Sequence, residues 1–183
     1  MRAYARRPPL NGAQPARMMK TPMERHDCHV RSATEADLPF IRGMVARLRL
    51  DGEDLRPEQF IVVEEGERMV AFGRIKPYRR TFELGCVAVV DDRRNRGLGE
   101  LVVRELIRRF PQRRVYITTD SPDYFQRLGF VRTRALPREL SEKIGRVEGK
   151  LRSGVVGMVY RRPCSSGPPV RQAGGRARPA ARR

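Results

Sequence analysis

The 183-residue sequence contains no tryptophan and only three cysteines, Cys28, Cys86 and Cys164. Three scattered cysteines are too few for a disulfide framework, so we expect a reducing compartment and a cytoplasmic location. His26 and His29 flank Cys28, but three potential ligands within four residues lack the separated ligand pairs of a structural zinc site. We therefore predict that the protein holds no metal ion.

Long apolar runs are also missing. No segment approaches the roughly 20 consecutive apolar residues that a membrane-spanning helix needs. The composition nevertheless includes 39% hydrophobic residues, which is enough for a packed core in a chain of this length. The sequence therefore argues against an integral membrane protein and predicts one folded domain.

Lysine is scarce although the chain is strongly basic. The sequence has 39 Lys and Arg against 21 Asp and Glu, a net charge of +18, and only four of the basic residues are lysines. Six basic and two acidic residues fall in 1–27, and six basic residues with no acidic one fall in 162–183. More than half of the excess charge is therefore in the ends, which we expect to bind polyanions weakly and without specificity.

Both ends are rich in proline and poor in large apolar residues. Four prolines interrupt residues 1–27, and residues 162–183 contain four prolines and three glycines. Such segments bury too little apolar surface to offset the entropy lost on ordering. We predict a disordered basic extension over 1–27, an ordered domain over 28–161 and a disordered Arg/Pro/Gly-rich tail over 162–183.

The middle of the chain alternates short apolar runs with helical patterns. The apolar and β-branched runs predict strands over 29–32, 60–63, 69–72, 81–90, 115–118, 130–132 and 155–160. Helical spacing and capping residues predict helices over 34–48, 97–110 and 121–127, and residues 138–151 form a further helical stretch. This order predicts the α/β class, with helices flanking one mixed sheet.

The junction after the long strand carries the most informative motif. There a buried run, Cys86 to Val90, leads through a short loop into a helix that begins with two glycines, Gly97 and Gly99. A helix start leaves backbone N–H groups unpaired, and glycine lets an anionic group approach them closely. Glycine spacing alone is a weak signal, and purely structural glycines remain an equal alternative at this point.

Two segments resemble the GNAT superfamily of N-acetyltransferases. The acetyl-CoA-binding motif of that family resembles the run Arg94-Asn95-Arg96-Gly97-Leu98-Gly99. The run Tyr124 to Phe130, with its Gly-Phe turn, resembles the aromatic helix that follows in the family. The resemblance spans roughly 30–160, and it implies a GNAT-type mixed, mostly antiparallel sheet flanked by helices.

The resemblance implies a cofactor site and a reaction type. The pyrophosphate of acetyl-CoA would lie on the N–H groups of residues 94–99, and the pantetheine arm would pair beside Val87, Ala88 and Val89. Family members usually transfer the acetyl group directly from acetyl-CoA to an amine, without an acyl-enzyme. Cys86 is therefore expected to be a buried core thiol rather than a nucleophile.

Two residues are candidates for acid–base chemistry. An attacking amine must lose a proton, and Glu83 lies near the position where several family members carry a catalytic glutamate. A salt-bridged strand carboxylate is the alternative for Glu83.

Tyr124 is the candidate acid for the departing thiolate. Many family members place this tyrosine second in a Phe-Tyr pair, where this chain has Phe125. A packing tyrosine is the alternative for Tyr124.

The acceptor is predicted from a branch of the family. The pairs Thr118-Thr119 and Leu136-Pro137, around the aromatic helix, resemble the amino-acid N-acetyltransferase branch, which includes proteins like N-acetylglutamate synthase. Such acceptors carry carboxylates, which Arg74 and Lys76 would bind. A solvated turn between the hairpin and the long strand is the alternative for both residues.

Other interpretations stay open from the sequence. The acceptor is either a small-molecule amine, such as glutamate, or a protein or peptide amine. A third possibility is a non-catalytic acyl-CoA-binding domain with nucleic-acid-binding tails. Residues 138–151 would cover the acceptor site or mediate contacts in a homodimer.

Overall fold

The computed structural model describes residues 28–147 and 154–163. The predicted basic extension and all but the first two residues of the predicted tail lie outside the described residues. The strands are β1 Cys28–Ser32, β2 Phe60–Glu65, β3 Arg68–Pro77, β4 Phe82–Val89, β5 Arg114–Thr119, β6 Phe130–Arg132 and β7 Val156–Arg161. The helices are α1 Leu38–Arg47, α2 Leu98–Arg109, α3 Pro122–Gln126 and α4 Arg138–Val147.

The seven strands within the described residues join one sheet, in the order β1-β2-β3-β4-β5-β7-β6. Every neighbouring pair is antiparallel except β4 and β5, which are parallel. The helix α2 connects these two parallel strands and packs on β3 and β4. The predicted fold class is therefore confirmed.

Apolar periodicity explains how α2 packs on the sheet. Its buried side chains are Leu98, Val102, Val103, Leu106 and Ile107, which recur at helical spacing. Opposite them β3 carries Gly73, where a Cβ atom would lie 2.6 Å from Cγ1 of Val102. This close approach leaves no room for a side chain at position 73, so glycine lets the helix lie directly on the sheet.

A bulge bends β4 next to this contact. Phe72 pairs with Ala88 and Arg74 pairs with Gly85, so two β4 residues, Cys86 and Val87, face the single residue between Phe72 and Arg74. Cys86 adopts a left-handed backbone conformation with φ of +50°. Bulges of this kind increase local twist and redirect a strand.

The two parallel strands separate after a short contact. Of the described residues, only Glu83 and Tyr116 pair between β4 and β5. From there β5 continues along β7, with pairs running from Arg114–Arg161 to Thr119–Val156. The carboxyl half of β4 therefore has an open edge on this side of the sheet, and a cleft forms there.

The strand β3 is longer than the sequence predicted. Arg74 and Lys76 lie within β3, not in a turn after it, and both are buried, with exposed fractions of 1% and 7%. The alternative of a solvated turn is therefore wrong for both residues. Carboxylate and carbonyl oxygens surround the two charges, so the strand can continue through them.

The predicted domain ends at residue 161, but the next residue, Arg162, also contacts the domain. The backbone N–H of Arg162 donates to the carbonyl of Arg113 at 3.0 Å. Its guanidinium donates to the carbonyls of Ile107 and Phe110 at the end of α2. Carbonyls in the last turn of a helix lack partners within the helix, so Arg162 caps α2.

Candidate functional site

The opening between β4 and β5 forms a cleft of about 640 Å³. All of the predicted cofactor-contacting residues within 87–89 and 94–99 line it, except Arg96. Glu83 and Tyr124, the two predicted acid–base residues, line the same cleft. Arg74 and Lys76 are not among its lining residues. The structure thus brings together the cofactor and acid–base candidates but not the two predicted acceptor ligands.

The turn into α2 has the geometry of an anion site. Gly97 is the N-cap of α2 and has φ of +80°, and Asn95 before it has φ of +61°. A Cβ atom at Gly97 would meet no heavy atom within 4 Å, so glycine is needed there for its backbone conformation rather than for lack of room. Gly97, Leu98 and Gly99 line the cleft, and the first N–H groups of a helix have no partner within it, as an anionic phosphate requires.

Acidic neighbours already neutralise two arginines beside the turn. The Arg93 side chain lies 2.6 Å from a carboxylate oxygen of Glu65, and Arg94 lies 2.8 Å from one of Asp91. The turn therefore relies on backbone N–H groups and on the helix dipole more than on free arginine charge.

At the other end of the cleft, Glu83 is a buried carboxylate with a full set of donors. Thr118 donates to its Oε1 at 2.8 Å, and Tyr78 donates to its Oε2 at 2.9 Å. Lys143 Nζ lies 2.9 Å from Oε1 and 2.7 Å from Oε2. Glu83 lines the cleft, but only 2% of it is exposed and these donors cover both of its oxygens.

The sequence analysis missed Lys143, which α4 places in the cleft wall. Its ammonium bridges Glu83 and Asp51, at 2.7 Å from a carboxylate oxygen of each. Burial by itself lowers the pKa of Lys143, but the charges of Glu83 and Asp51 outweigh it, and the pKa is raised. Lys143 therefore stays an ammonium at neutral pH.

A sequence signal for Lys143 exists in the pattern of α4. Lys143 follows Leu140 by three residues and precedes Ile144, so it lies on the apolar face of the helix. Of the four lysines, only Lys76 and Lys143 lie among the described residues, and both are buried. A lysine carries a compact ammonium rather than a planar guanidinium, so a lysine on an apolar helix face in an arginine-rich chain was a signal for this site.

Arg74 and Lys76 hold the segment that follows α1 against the sheet. The Arg74 guanidinium donates to the carbonyl oxygens of Asp51 and Glu53, at 2.9 and 3.0 Å, and lies 3.1 Å from the Asp51 carboxylate. Lys76 Nζ donates to the Glu53 carbonyl at 3.3 Å. These contacts hold Asp51 beside Lys143, so the structure places Arg74 and Lys76 behind the cleft wall.

Tyr124 lies at the phosphate end of the cleft. A Cβ atom at Gly99, in the first turn of α2, would lie 2.8 Å from its hydroxyl oxygen. Burial raises the pKa of Tyr124, and the nearby Glu100 carboxylate adds to this effect. The neighbouring Phe125 packs in the core against Phe130, with ring centroids 5.7 Å apart.

Cys86 lies in the cleft wall as a protonated thiol. Its Sγ donates to the carbonyl of Asp51 at 3.1 Å. Burial raises the pKa of the Cys86 thiol to about 11. A nucleophilic cysteine needs its thiolate, so these surroundings favour the structural role that the sequence predicted.

Arg49 is a cleft residue that the sequence analysis also missed. It lies just after α1, is exposed, lines the cleft and has φ of +51°. Among the described residues its guanidinium makes no hydrogen bond or ion pair. Four non-glycine residues in the described part of the chain have positive φ. Three of them, Arg49, Cys86 and Asn95, line this one cleft, and such outliers cluster at functional sites.

Two parallel strands thus separate beside a glycine-capped helix, with a carboxylate at the far end of the opening. A sequence profile of the acetyltransferase (GNAT) family matches residues 25–130. The match covers more than half of the chain, so the protein belongs to the acetyltransferase (GNAT) family. This membership confirms the predicted superfamily and acetyl-CoA as co-substrate. No curated protein matches the sequence.

Solved structures share the fold at low sequence identity. N-acetylglutamate synthase from Neisseria gonorrhoeae, complexed with coenzyme A and N-acetyl-glutamate, matches 73% of this chain with a TM-score of 0.62 and 20% identity. Rv2747 from Mycobacterium tuberculosis, in complex with CoA, matches 74% with a TM-score of 0.60 and 20% identity. The ribosomal-protein-S18-alanine N-acetyltransferase from Escherichia coli matches 73% with a TM-score of 0.51 and 16% identity.

The share of the neighbours that is covered differs. This chain spans 35% of the Neisseria synthase chain, but 99% of Rv2747 and 93% of the Escherichia coli enzyme. At these identities the likeness shows the fold alone.

The described part of the chain also bears on membranes and metals. Residues 28–147 and 154–163 include no helix with the length and apolar character needed to cross a bilayer. The same residues contain no cluster of three His, Cys, Asp or Glu side chains arranged to hold a metal ion.

Proposed function

We propose that the protein transfers an acetyl group directly from acetyl-CoA to the primary amine of an amino acid or a similar small molecule. The observation that carries this proposal is that the glycine-capped turn and the buried Glu83 line one continuous cleft. A diphosphate bound at Gly97 directs the remainder of the cofactor along the open edge of β4, toward Glu83 and Lys143. An acceptor amine then enters between Glu83 and the mouth of the cleft at Arg49.

The cofactor half of the cleft, formed by residues 87–89, 94–95 and 97–99, fits acetyl-CoA. The N–H groups that open α2 receive the diphosphate, and the unpaired edge of β4 at Val87 and Val89 offers backbone groups to the amides of the pantetheine arm. When bound, acetyl-CoA supplies a thioester carbonyl that an amine can attack. A backbone N–H at this strand edge would stabilise the negative charge that develops on the carbonyl oxygen.

The acceptor half of the cleft, where Arg49, Glu83 and Lys143 lie, favours a zwitterionic acceptor over a polycationic one. Within the buried cluster the charges of Asp51 and Glu83 face those of Lys143, Arg74 and Lys76, so no excess negative charge remains to attract a polyamine. At the mouth Arg49 offers five N–H donors in a fixed fork, which matches a carboxylate. We therefore assign carboxylate binding to Arg49 in place of Arg74 and Lys76.

Glu83 is the base that we propose for the acceptor. Its carboxylate lies at the end of the cleft where the amine is expected, with the Lys143 ammonium as counter-ion. A carboxylate there can take the proton that an ammonium must lose before attack. The predicted homodimer, the polyanion binding of the tails and the cytoplasmic location remain predictions.

An acceptor panel tests this function. We expect CoA release from acetyl-CoA with free amino acids, above all glutamate, to exceed release with polyamines or N-terminal peptides at least tenfold. The measurement follows free thiol with each amine at equal concentration. Preference for peptides would replace the amino-acid acceptor with a protein amine, and tight CoA binding without release for any amine would indicate a non-catalytic domain.

Replacing Arg49 with methionine tests the carboxylate contact. Methionine keeps much of the apolar stem but removes the guanidinium, and a hydrogen bond to a charged group contributes about 1.5–3 kcal/mol. We expect the KM for the amino acid to rise at least tenfold while the KM for acetyl-CoA stays within twofold. The matched control is Arg42→Met on the exposed surface of α1, outside this cleft, which should change neither. An unchanged acceptor KM in Arg49→Met would exclude this contact.

Replacing Tyr124 with phenylalanine separates two roles of its hydroxyl. Because the hydroxyl lies beside Gly99, we expect it to contact the cofactor, so Tyr124→Phe should raise the KM for acetyl-CoA about three- to tenfold, as loss of one hydrogen bond of about 1 kcal/mol predicts. The turnover rate should stay within threefold. A hundredfold slower turnover with unchanged KM would instead support the general acid that the resemblance implied. Steady-state kinetics at saturating acceptor distinguishes the two.

A further inference from the structure

Glu83 is buried and its oxygens are already hydrogen-bonded, so it cannot accept a proton directly from an amine in the cleft. Glu83 is 2% exposed, and four donor contacts occupy its two carboxylate oxygens, one pair on each. A carboxylate has about four lone-pair sites, so no site is left for an incoming amine. A proton that reaches Glu83 must therefore pass through one of the three groups that already donate to it.

Two of these donors cannot pass a proton on from the cleft. Lys143 is an ammonium, which has three donors and no lone pair to accept a proton. Tyr78 is not among the residues that line the cleft, and burial together with the Glu83 charge raises the pKa of its hydroxyl. Neither group can take a proton from an amine in the cleft while giving one to Glu83.

Thr118 meets both requirements. It lies on β5 two residues after Tyr116, the residue that pairs with Glu83, so its side chain points to the same face of the sheet as that of Tyr116. Thr118 lines the cleft and is partly exposed there. Its hydroxyl donates its one hydrogen to Glu83 Oε1 at 2.8 Å, and both oxygen lone pairs remain to accept an N–H.

We propose that the Thr118 hydroxyl is a catalytic proton relay between the acceptor amine and Glu83. This inference rests on the proposed acetyltransfer, and it explains how a base whose two oxygens are already occupied by donors can act in the cleft. Thr118 accepts a proton from the acceptor ammonium while its own hydroxyl proton moves to Glu83 Oε1, and the amine becomes neutral.

The proton and electron balance closes over one turnover. The lone pair of the neutral amine forms the new N–C bond, and the C–S bond of the thioester breaks with its electron pair moving to sulfur. The second N–H proton goes to the thiolate. Glu83 returns its proton through Thr118 to water in the cleft. Ammonium and acetyl-CoA thus give amide, CoA thiol and one released proton.

The test compares Thr118→Val with Thr118→Ser in the full chain. Valine keeps the branched shape and removes the hydroxyl, whereas serine keeps the hydroxyl. General acid–base groups typically contribute about 10²–10⁴-fold to rate, so we expect Thr118→Val to lower kcat about 100-fold and Thr118→Ser to stay within threefold of the original protein. The calorimetric Kd for CoA should stay within twofold in both variants.

A solvent isotope measurement separates a relay from packing. Two protons move together in the relay, so the rate of the original protein and of Thr118→Ser should depend quadratically on the deuterium fraction, and that of Thr118→Val linearly. Thr133→Val, outside the cleft, is the matched control and should behave as the original protein. Equal losses in the valine and serine variants, or a linear dependence throughout, would overturn the relay.

The same experiments distinguish failure of the relay from failure of the proposed function. Full turnover by Thr118→Val, with an inactive Glu83→Gln, would reject the relay and leave the acetyltransferase intact. Absence of turnover by the original protein with every amine, despite CoA binding, would reject both.

Discussion

Replacing Gly97 with glutamate is expected to abolish acetyl-CoA binding, with a rise of more than 100-fold in the Kd for CoA. Gly97 has φ of +80°, a conformation that costs other L-residues roughly 1–2 kcal/mol. The space beside it is open, so the new carboxylate would occupy the place that the diphosphate needs. Like charges would then repel at the point where the helix N–H groups attract an anion.

Isothermal calorimetry with CoA measures this effect, and the chain offers a matched control. Gly66, in the turn between β2 and β3, also has positive φ, +61°, and open space around it. Gly66→Glu therefore introduces the same backbone strain and the same charge away from the cleft, and its CoA affinity should stay within twofold. Equal CoA affinities for Gly97→Glu and the original protein would show that the diphosphate binds elsewhere.

The glycine-capped turn that lines the cleft could be predicted from the sequence because it is local. The strand end at Val89, the turn, and the glycines at 97 and 99 follow one another within a few residues. A positive φ and a close approach to the backbone both favour glycine, so the residue types alone indicate these requirements. Periodicity likewise predicted the strands and α2, since each depends on a run of neighbours.

The acceptor half could not be predicted in the same way because it depends on distant contacts. Lys143 lies 60 positions after Glu83, and only the fold brings them together. From the sequence, Arg74 and Lys76 were interpreted as carboxylate ligands or as charges of a solvated turn, since nothing local reveals that Asp51 and the carbonyl of Glu53 neutralise them. Strand β3 continues through both residues because these long-range partners satisfy their charges.

The buried charges also explain why α4 has a fixed place beside the cleft. Leu140 is fully buried on the apolar face of α4, and one turn further Lys143 ends on two carboxylates. Removing one member of a buried ion pair leaves an unpaired charge and costs about 3–5 kcal/mol. The helix is therefore held by specific partners on β4 and on the segment after α1, and Lys143 links the position of α4 to the charge of Glu83.

Replacing Glu83 with glutamine is expected to lower kcat about 10²–10³-fold, in the range of general acid–base groups, while the Kd for CoA stays within twofold. An amide cannot accept from all four donor contacts that the carboxylate satisfies, and Lys143 loses a counter-charge. We therefore also expect a loss of stability, with Tm lowered by about 6–20 °C if the cost is about 3–5 kcal/mol in a domain of this size.

A double variant separates the chemical role of Glu83 from its structural role. In Glu83→Gln combined with Lys143→Met both charges are gone, and Asp51 keeps Arg74 at 3.1 Å. We expect the double variant to recover most of the lost Tm, because a neutral pair leaves no unpaired charge. Its kcat should remain as low as that of Glu83→Gln, because the proton acceptor is still missing. Recovery of kcat together with Tm would show that Glu83 is only a structural partner of Lys143 and that another group takes the proton.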